Sequence, residues 1–262
     1  MLRPRLAGPD RLLRLLDRVE QAPPAAGERV ELVRAELTDP EALAAACAGV
    51  DAVLHLAALA SEDTWEQILR TNVEGTRLLL EAARRADVPR VVLASSIHAA
   101  GFYRRAGTDP QPSGVPAPDG PDGVPADVYP RPDSYYGWSK AAVESLGSLF
   151  ADRFGMTVFA VRIGSCFPEP PEDHARSSWL SPDDCGRLMN ACLRSDRAGF
   201  HLLWGVSANT DRWWSLREGR EIGYAPTDDA EPYFVERRSG GHPTDGLLGG
   251  AFTTGRFGAP KP

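Results

Sequence analysis

At 262 residues, 42% hydrophobic and 25% charged, the chain is long enough for one large domain and too apolar for intrinsic disorder. Its formal charge of -7 argues against a nucleic-acid binder, which needs a basic surface to displace counterions. No apolar run reaches the length of a membrane span, and residues 1–5 lack the apolar core of a signal peptide. Four cysteines without a Cys-x-x-Cys pair point to reduced thiols in a cytoplasmic protein.

In chain order, residues 1–7 read as the second half of a helix and residues 11–17 as a strand ending in the acid Asp17. Residues 29–33 form a second strand. Asp39 then caps a short Ala-rich helix with Pro40 at its first position. Residues 50–56 are a third strand. From 64 to 86 the apolar residues Trp65, Ile68, Leu69, Val73, Leu79, Leu80 and Ala83 fall near helical spacing, which predicts one helix with one buried face. Residues 91–94 are a fourth strand, continuously apolar as befits cover on both faces.

Residues 104–132 carry eight prolines with interleaved glycines and can sustain neither a helix nor a central strand. This insert is a solvated loop or a lid over a site. A helix over 134–154, a strand over 157–163, a helix capped by Ser181 running to about 194 and a strand over 200–206 follow. Strands alternating with helices predict an α/β fold with a parallel, doubly wound, Rossmann-like sheet. The whole chain reads as one domain, with about 165–262 contributing a small substrate lobe and tail.

The most specific chemical signal is Tyr136-Gly137-Trp138-Ser139-Lys140. Tyrosine and lysine four apart on a helix share a face, and the ammonium favours ionisation of the phenol for proton transfer. Of 29 basic residues only Lys140 and Lys261 are lysines, so Lys140 stands where arginine does not serve. Ser95 and Ser96 close the fourth strand at the edge where parallel sheets bind ligands, which nominates Ser96 as the hydroxyl partner. The five histidines form no local ligand pattern, so no metal site is expected.

Together with Leu54-His55-Leu56-Ala57-Ala58, Thr71-Asn72-Val73-Glu74-Gly75-Thr76 and Val92-Leu93-Ala94-Ser95-Ser96, this motif resembles the extended short-chain dehydrogenase/reductase family, also called NAD-dependent epimerase/dehydratase. The stretches 66–69, 95–98, 161–166 and 204–209 are more narrowly similar to the uronate dehydrogenases of that family, which oxidise the anomeric hydroxyl of galacturonate or glucuronate to a lactone with NAD. The resemblance implies Tyr136 as proton acceptor, Lys140 as support for Tyr136 and ligand of the nicotinamide ribose, and Ser96 as the group orienting the reacting hydroxyl. It implies Ser96, His98 and Ser165 on the sugar. It places Asp17 on the adenosine ribose, Glu36 and Leu37 beside the adenine, Leu56, Ala57, Ala58 and Asn72 along the dinucleotide, and Cys166 by the nicotinamide. Members carry an arginine for the sugar carboxylate shortly after the Pro-Glu-Pro run. Here that position holds His174, and Arg176 serves after a local shift.

The family opens with a strand and a Gly-x-x-Gly-x-x-Gly loop that cradles the pyrophosphate. This sequence has neither: Gly8 is its only glycine before Gly27. That strand is central in the family's sheet, so its two neighbours are expected to keep unpaired edges. Either the sequence begins inside a longer natural chain, or the protein lacks the strand and binds NAD differently.

The reading that results is an NAD-dependent oxidoreductase acting on a sugar acid, a homo-oligomer with a small-molecule substrate. The alternatives are a non-redox isomerase, dehydratase or cyclase using the same Tyr136, Lys140 and Ser96, and a catalytically silent binding protein of this fold.

Overall fold

A computed structural model describes residues 1–104, 123–171, 175–234, 246–255 and 257–260. Most of the proline-rich insert, 105–122, and His174 lie outside them.

The N-terminal stretch is a single helical turn, α1 (Arg3–Leu6), followed by β1 (Leu13–Asp17) and β2 (Val30–Arg34). Asp39 caps α2 (Pro40–Cys47) as its spacing suggests, accepting from the backbone N–H of Glu41 and Ala42. Then come β3 (Val53–His55), α3 (Trp65–Ile68), a π-helical turn over Leu69–Glu74, α4 (Gly75–Arg85) and β4 (Arg90–Ser96). The second half holds α5 (Tyr135–Phe154), β5 (Thr157–Ile163), β6 (Ser165–Cys166), α6 (Ala175–Ser178), β7 (Trp179–Leu180), α7 (Pro182–Arg194), β8 (Phe200–Gly205) and α8 (Arg217–Glu221).

Strands β3-β4-β5-β8 form one parallel sheet, and β1-β2 form a separate parallel pair. Side chains alternate across the central strands, as the period of two demands. Val91, Leu93, Val158 and Ala160 pack with Leu80 of α4 and Phe150 of α5. Val92, Phe159 and Val161 pack on the other face with Leu188 and Met189 of α7. Helices thus cover both faces, which is the doubly wound α/β arrangement expected from the alternation of elements.

A second parallel pair, β6-β7, lies after β5, and β1-β2 meets the four-stranded sheet without pairing. Leu13 and Leu54 pack against the same apolar cluster, and Leu16 and Val53 against the other, so β1 and β3 border a common region of the core. No hydrogen-bonded pairing joins them. Strand β1 pairs only with β2, and β3 only with β4.

The single helix over 64–86 is corrected. Its middle widens into the π turn, from which Asn72 reaches the loop after β3, accepting from Leu59 N at 2.8 Å and donating to Leu59 O at 3.1 Å. It also donates to Ser139 Oγ at 3.0 Å. Apolar spacing encodes which face is buried; it carries no record of a polar side chain that must reach sideways, and π turns recur where this is needed.

Candidate active site

The helix that carries the tyrosine and lysine begins under double control. Ser134 caps α5 by accepting from Gly137 N at 2.9 Å. Glu62, from the loop after β3, accepts from Tyr135 N at 3.2 Å and Tyr136 N at 2.8 Å, placing a carboxylate at the positive end of the helix. Gly155, at φ 72°, ends the helix in the left-handed conformation. One stripe of α5 then presents Tyr136, Lys140 and Glu144 at intervals of four residues, all buried. Facing it, β4 ends at Ser95 and Ser96 and turns into a short 3-10 helix over Ile97–Ala100.

Ser96 and Tyr136 stand together on one cavity wall, where the Ser96 hydroxyl favours ionisation of the Tyr136 phenol. Lys140 Nζ donates to Ala94 O on β4 at 2.7 Å and lies 5.6 Å from the centre of the Tyr136 ring. Burial pushes the Lys140 ammonium down to about 8, opposed by the charge of Glu144. Burial likewise pushes the Tyr136 phenol up; the Ser96 hydroxyl works the other way, and the nearby Asp133 charge adds to the rise. The expected easing of phenol ionisation by the lysine is not among the influences on Tyr136 in this structure, where desolvation is the largest.

These groups line a cavity of about 1530 Å³. That exceeds the ~300–1,000 Å³ of an ordinary small-ligand pocket and leaves room for more than a monosaccharide. Ser96, Tyr136, Lys140, His98, Ser165, Cys166, Leu56 and Ala58 all stand on its wall. Ser165 Oγ lies 3.1 Å from Ser178 Oγ, and the Cys185 thiol beside Cys166 lowers the Cys166 thiol from its ordinary value. Phe252, from the C-terminal segment, closes the wall by stacking on the His98 ring at 3.9 Å between centroids.

Other nominated residues lie off that wall. Asp17 sits at the end of β1, its carboxylate accepting from Val19 N at 3.0 Å and Gln21 Nε2 at 3.3 Å. Glu36 and Leu37 follow β2, with the Leu37 side chain filling the space a Cβ at Gly75 would need. Asn72 is buried behind the wall, as described above, and Ala57 is not among the lining residues. Arg176 is drawn away from the cavity by Glu231, with which it forms an ion pair. A guanidinium this close to a carboxylate takes it as partner in place of a distant anion.

Sequence reasoning missed Glu62, Asp133, Glu144, Arg162 and Phe252. Glu144 had a readable signal, since it extends the Tyr136–Lys140 stripe by one further turn. Glu62, Arg162 and Phe252 meet the site only through chain segments distant in sequence, and Asp133, next to the α5 cap, through its contact with the remote His98.

The cavity suits part of a nicotinamide dinucleotide. An ammonium has three donors and Lys140 shows one bond, to Ala94 O, so donors remain for a ribose. Asp17 offers carboxylate oxygens for a second ribose. Among the described residues no glycine-rich turn follows a strand to cradle a pyrophosphate, and the region between β1 and β3 has no strand. The residues present therefore fit the two ribose ends and supply no phosphate cradle of the usual kind. Among these residues, no group of three or more His, Cys, Asp or Glu could hold a metal ion, and no helix is long and apolar enough to cross a membrane.

Comparison with known proteins bears on the same cavity. Residues 2–181 match the NAD dependent epimerase/dehydratase family. The chain is 37% identical over 264 residues to a uronate dehydrogenase of Pseudomonas syringae pv. tomato, covering 98% of this chain and 90% of that one. The crystal structure of uronate dehydrogenase from Agrobacterium tumefaciens, in a Tyr-to-Ala mutant complexed with NAD, superposes with a TM-score of 0.85 at 34% identity, covering 99% and 94%. Glucuronic acid dehydrogenase from Chromohalobacter salexigens superposes with a TM-score of 0.82 at 33% identity, covering 94% and 89%. By sequence, by fold and by the tyrosine, lysine and serine gathered in one cleft, the chain belongs to the NAD-dependent epimerase/dehydratase family.

Proposed function

We propose that the protein is an NAD-dependent dehydrogenase that oxidises the anomeric hydroxyl of a hexuronate to the lactone. The observation that carries this reading is the convergence of Ser96, Tyr136 and Lys140 on one cavity whose wall also holds His98 and Ser165. Ser96 would orient the reacting hydroxyl through its own hydroxyl group, which stands on the cavity wall with Tyr136. Tyr136 Oη would accept the proton as the hydroxyl becomes a carbonyl, with Lys140 holding the nicotinamide ribose and stabilising the phenolate. Bound NAD supplies the hydride acceptor. Cys166 and Ala58 would flank the nicotinamide, with Leu56, Ala57 and Asn72 along the dinucleotide and Asp17, Glu36 and Leu37 toward the adenosine. His98 and Ser165 would take sugar hydroxyls, and Arg176 reaches the sugar carboxylate by exchanging Glu231 for it.

We read the chain as one domain, with 165–262 supplying the sugar side. Its four free cysteines suit a reducing cytoplasm. Self-association would cover the half-exposed Trp65 and Leu69 of the α3 region and Leu149 and Phe154 of α5.

The test is turnover of galacturonate and glucuronate with NAD, followed by appearance of NADH, in the parent and in Tyr136→Phe. Loss of a positioned acid–base group costs about 10²–10⁴-fold in kcat. Parent-like turnover in the variant, or no oxidation of either sugar acid by the parent, overturns the assignment.

A further inference from the structure

Asp133 lies one residue before the cap of α5, and its side chain is fully enclosed. One oxygen, Oδ1, accepts from Ser134 Oγ at 2.7 Å; the other, Oδ2, faces His98 Nδ1 at 2.8 Å. The enclosure is made by glycine backbone. A Cβ at Gly101 or at Gly249 would fall on Oδ2, and one at Gly137 would crowd Oδ1. Three chain segments have thus given up side chains around one carboxylate. A buried carboxylate costs several kcal/mol unless its oxygens are bonded, and this one's negative charge works against ionisation of Tyr136. Its presence so close to the phenol needs another reason.

His98 supplies it. The ring is held between Phe252, at 3.9 Å, and Tyr136, at 5.7 Å between centroids, and stands on the cavity wall. An ionised carboxylate only accepts hydrogen bonds, so the nitrogen facing it, Nδ1, must carry a proton. In the neutral ring Nε2 is then a bare acceptor and the atom left to meet substrate.

The geometry points to Asp133 as a positioning residue that fixes the Nδ1-protonated tautomer of His98, so that Nε2 accepts a hydrogen bond from a hydroxyl of the sugar. This rests on the sugar-acid dehydrogenase reading for the identity of the donor, though the tautomer itself does not.

Asp133→Asn tests it without enlarging the cradle. Ser134 Oγ continues to donate to the amide oxygen, which turns the amide NH₂ toward His98 and requires Nδ1 to become the acceptor. Nε2 then bears the proton, and a substrate hydroxyl loses its acceptor. Long-range ¹⁵N–¹H correlation on the ¹⁵N-histidine-labelled full chain, without substrate, reads this directly. The expected result is a pyrrole-like Nδ1 and pyridine-like Nε2 in the parent, reversed in the variant. With galacturonate, the KM of Asp133→Asn rises about tenfold, as for one lost hydrogen bond. In a His98→Ala background the same substitution leaves KM unchanged, which a merely structural role for Asp133 would not do.

A parent His98 protonated at Nε2, a tautomer unmoved by the substitution, or an equal KM penalty in the His98→Ala background overturns the proposal. If the parent oxidises no uronate, the dehydrogenase reading fails, while the tautomer measurement still decides whether Asp133 sets His98.

Discussion

Glu144 and Arg162 meet in the interior as a two-pronged ion pair, with Nε on Oε1 and Nη2 on Oε2, both at 2.8 Å, and side chains 4% and 0% exposed. Ser95 Oγ donates to the same Oε1 at 2.5 Å, and Arg162 Nη1 donates to Ala126 O and Val128 O at 3.0 and 3.2 Å. The pair therefore ties α5, β4, β5 and the chain after the insert together directly behind Ser96 and Lys140. Its negative member also opposes the loss of the Lys140 proton.

Removing one member strands the other charge in the interior. Glu144→Ala should destabilise the fold by about 3–5 kcal/mol. A double replacement by apolar residues of similar size, Glu144→Leu with Arg162→Met, should cost clearly less than the single substitution. Urea unfolding of the three proteins checks this; a double variant no better than the single one would show that the pair is worth more than apolar packing there.

His55 provides a pH test. The Thr76 hydroxyl donates to Asn72 O at 2.6 Å, so His55 Nε2, 2.9 Å from Thr76 Oγ1, must be the donor in that pair. Burial, reinforced by the Lys140 charge, pushes the His55 imidazole down to about 3. Because the folded value lies below the unfolded one, near 6.5, the unfolded chain takes the proton first as pH falls. Stability from this group is present above about pH 6.5 and is lost progressively toward pH 3. His55→Gln keeps a donor for Thr76 without the titration. Between pH 7 and pH 4.5 the parent should lose about 2–3 kcal/mol more than the variant in urea unfolding. Equal losses would show that His55 does not carry this acid sensitivity.

The break between β1 and β3 predicts uneven backbone protection. Strands β4 and β5 are paired on both sides, whereas β1 and β3 each have one partner. Hydrogen exchange followed by mass spectrometry should show peptides spanning 13–17 and 53–55 exchanging at least ten times faster than those spanning 90–96 and 157–163. Uniform protection across all four strands would mean that the edges are paired in solution.

The legible part of this protein was local. Period-two and period-3.6 patterns placed β4, β5, α5 and α7 nearly residue for residue, because burial on two faces leaves a continuous apolar record. The Tyr136–Lys140 spacing was equally readable, since four residues on a helix fix two side chains to one face regardless of what surrounds them.

What the chain determined by itself was therefore the α/β alternation, the helix that aligns Tyr136 with Lys140 and the strand end that offers Ser96. Tertiary structure alone decided the rest: that Arg176 is held by Glu231, that Asn72 bends a helix into a π turn to reach Leu59, and that Asp133 meets His98 inside a cradle of glycines. Spacing along a helix or strand is set by backbone geometry, which the sequence carries directly. The pairing of charges from remote segments is set by which surfaces share the interior, and it exists only once the core has closed around them.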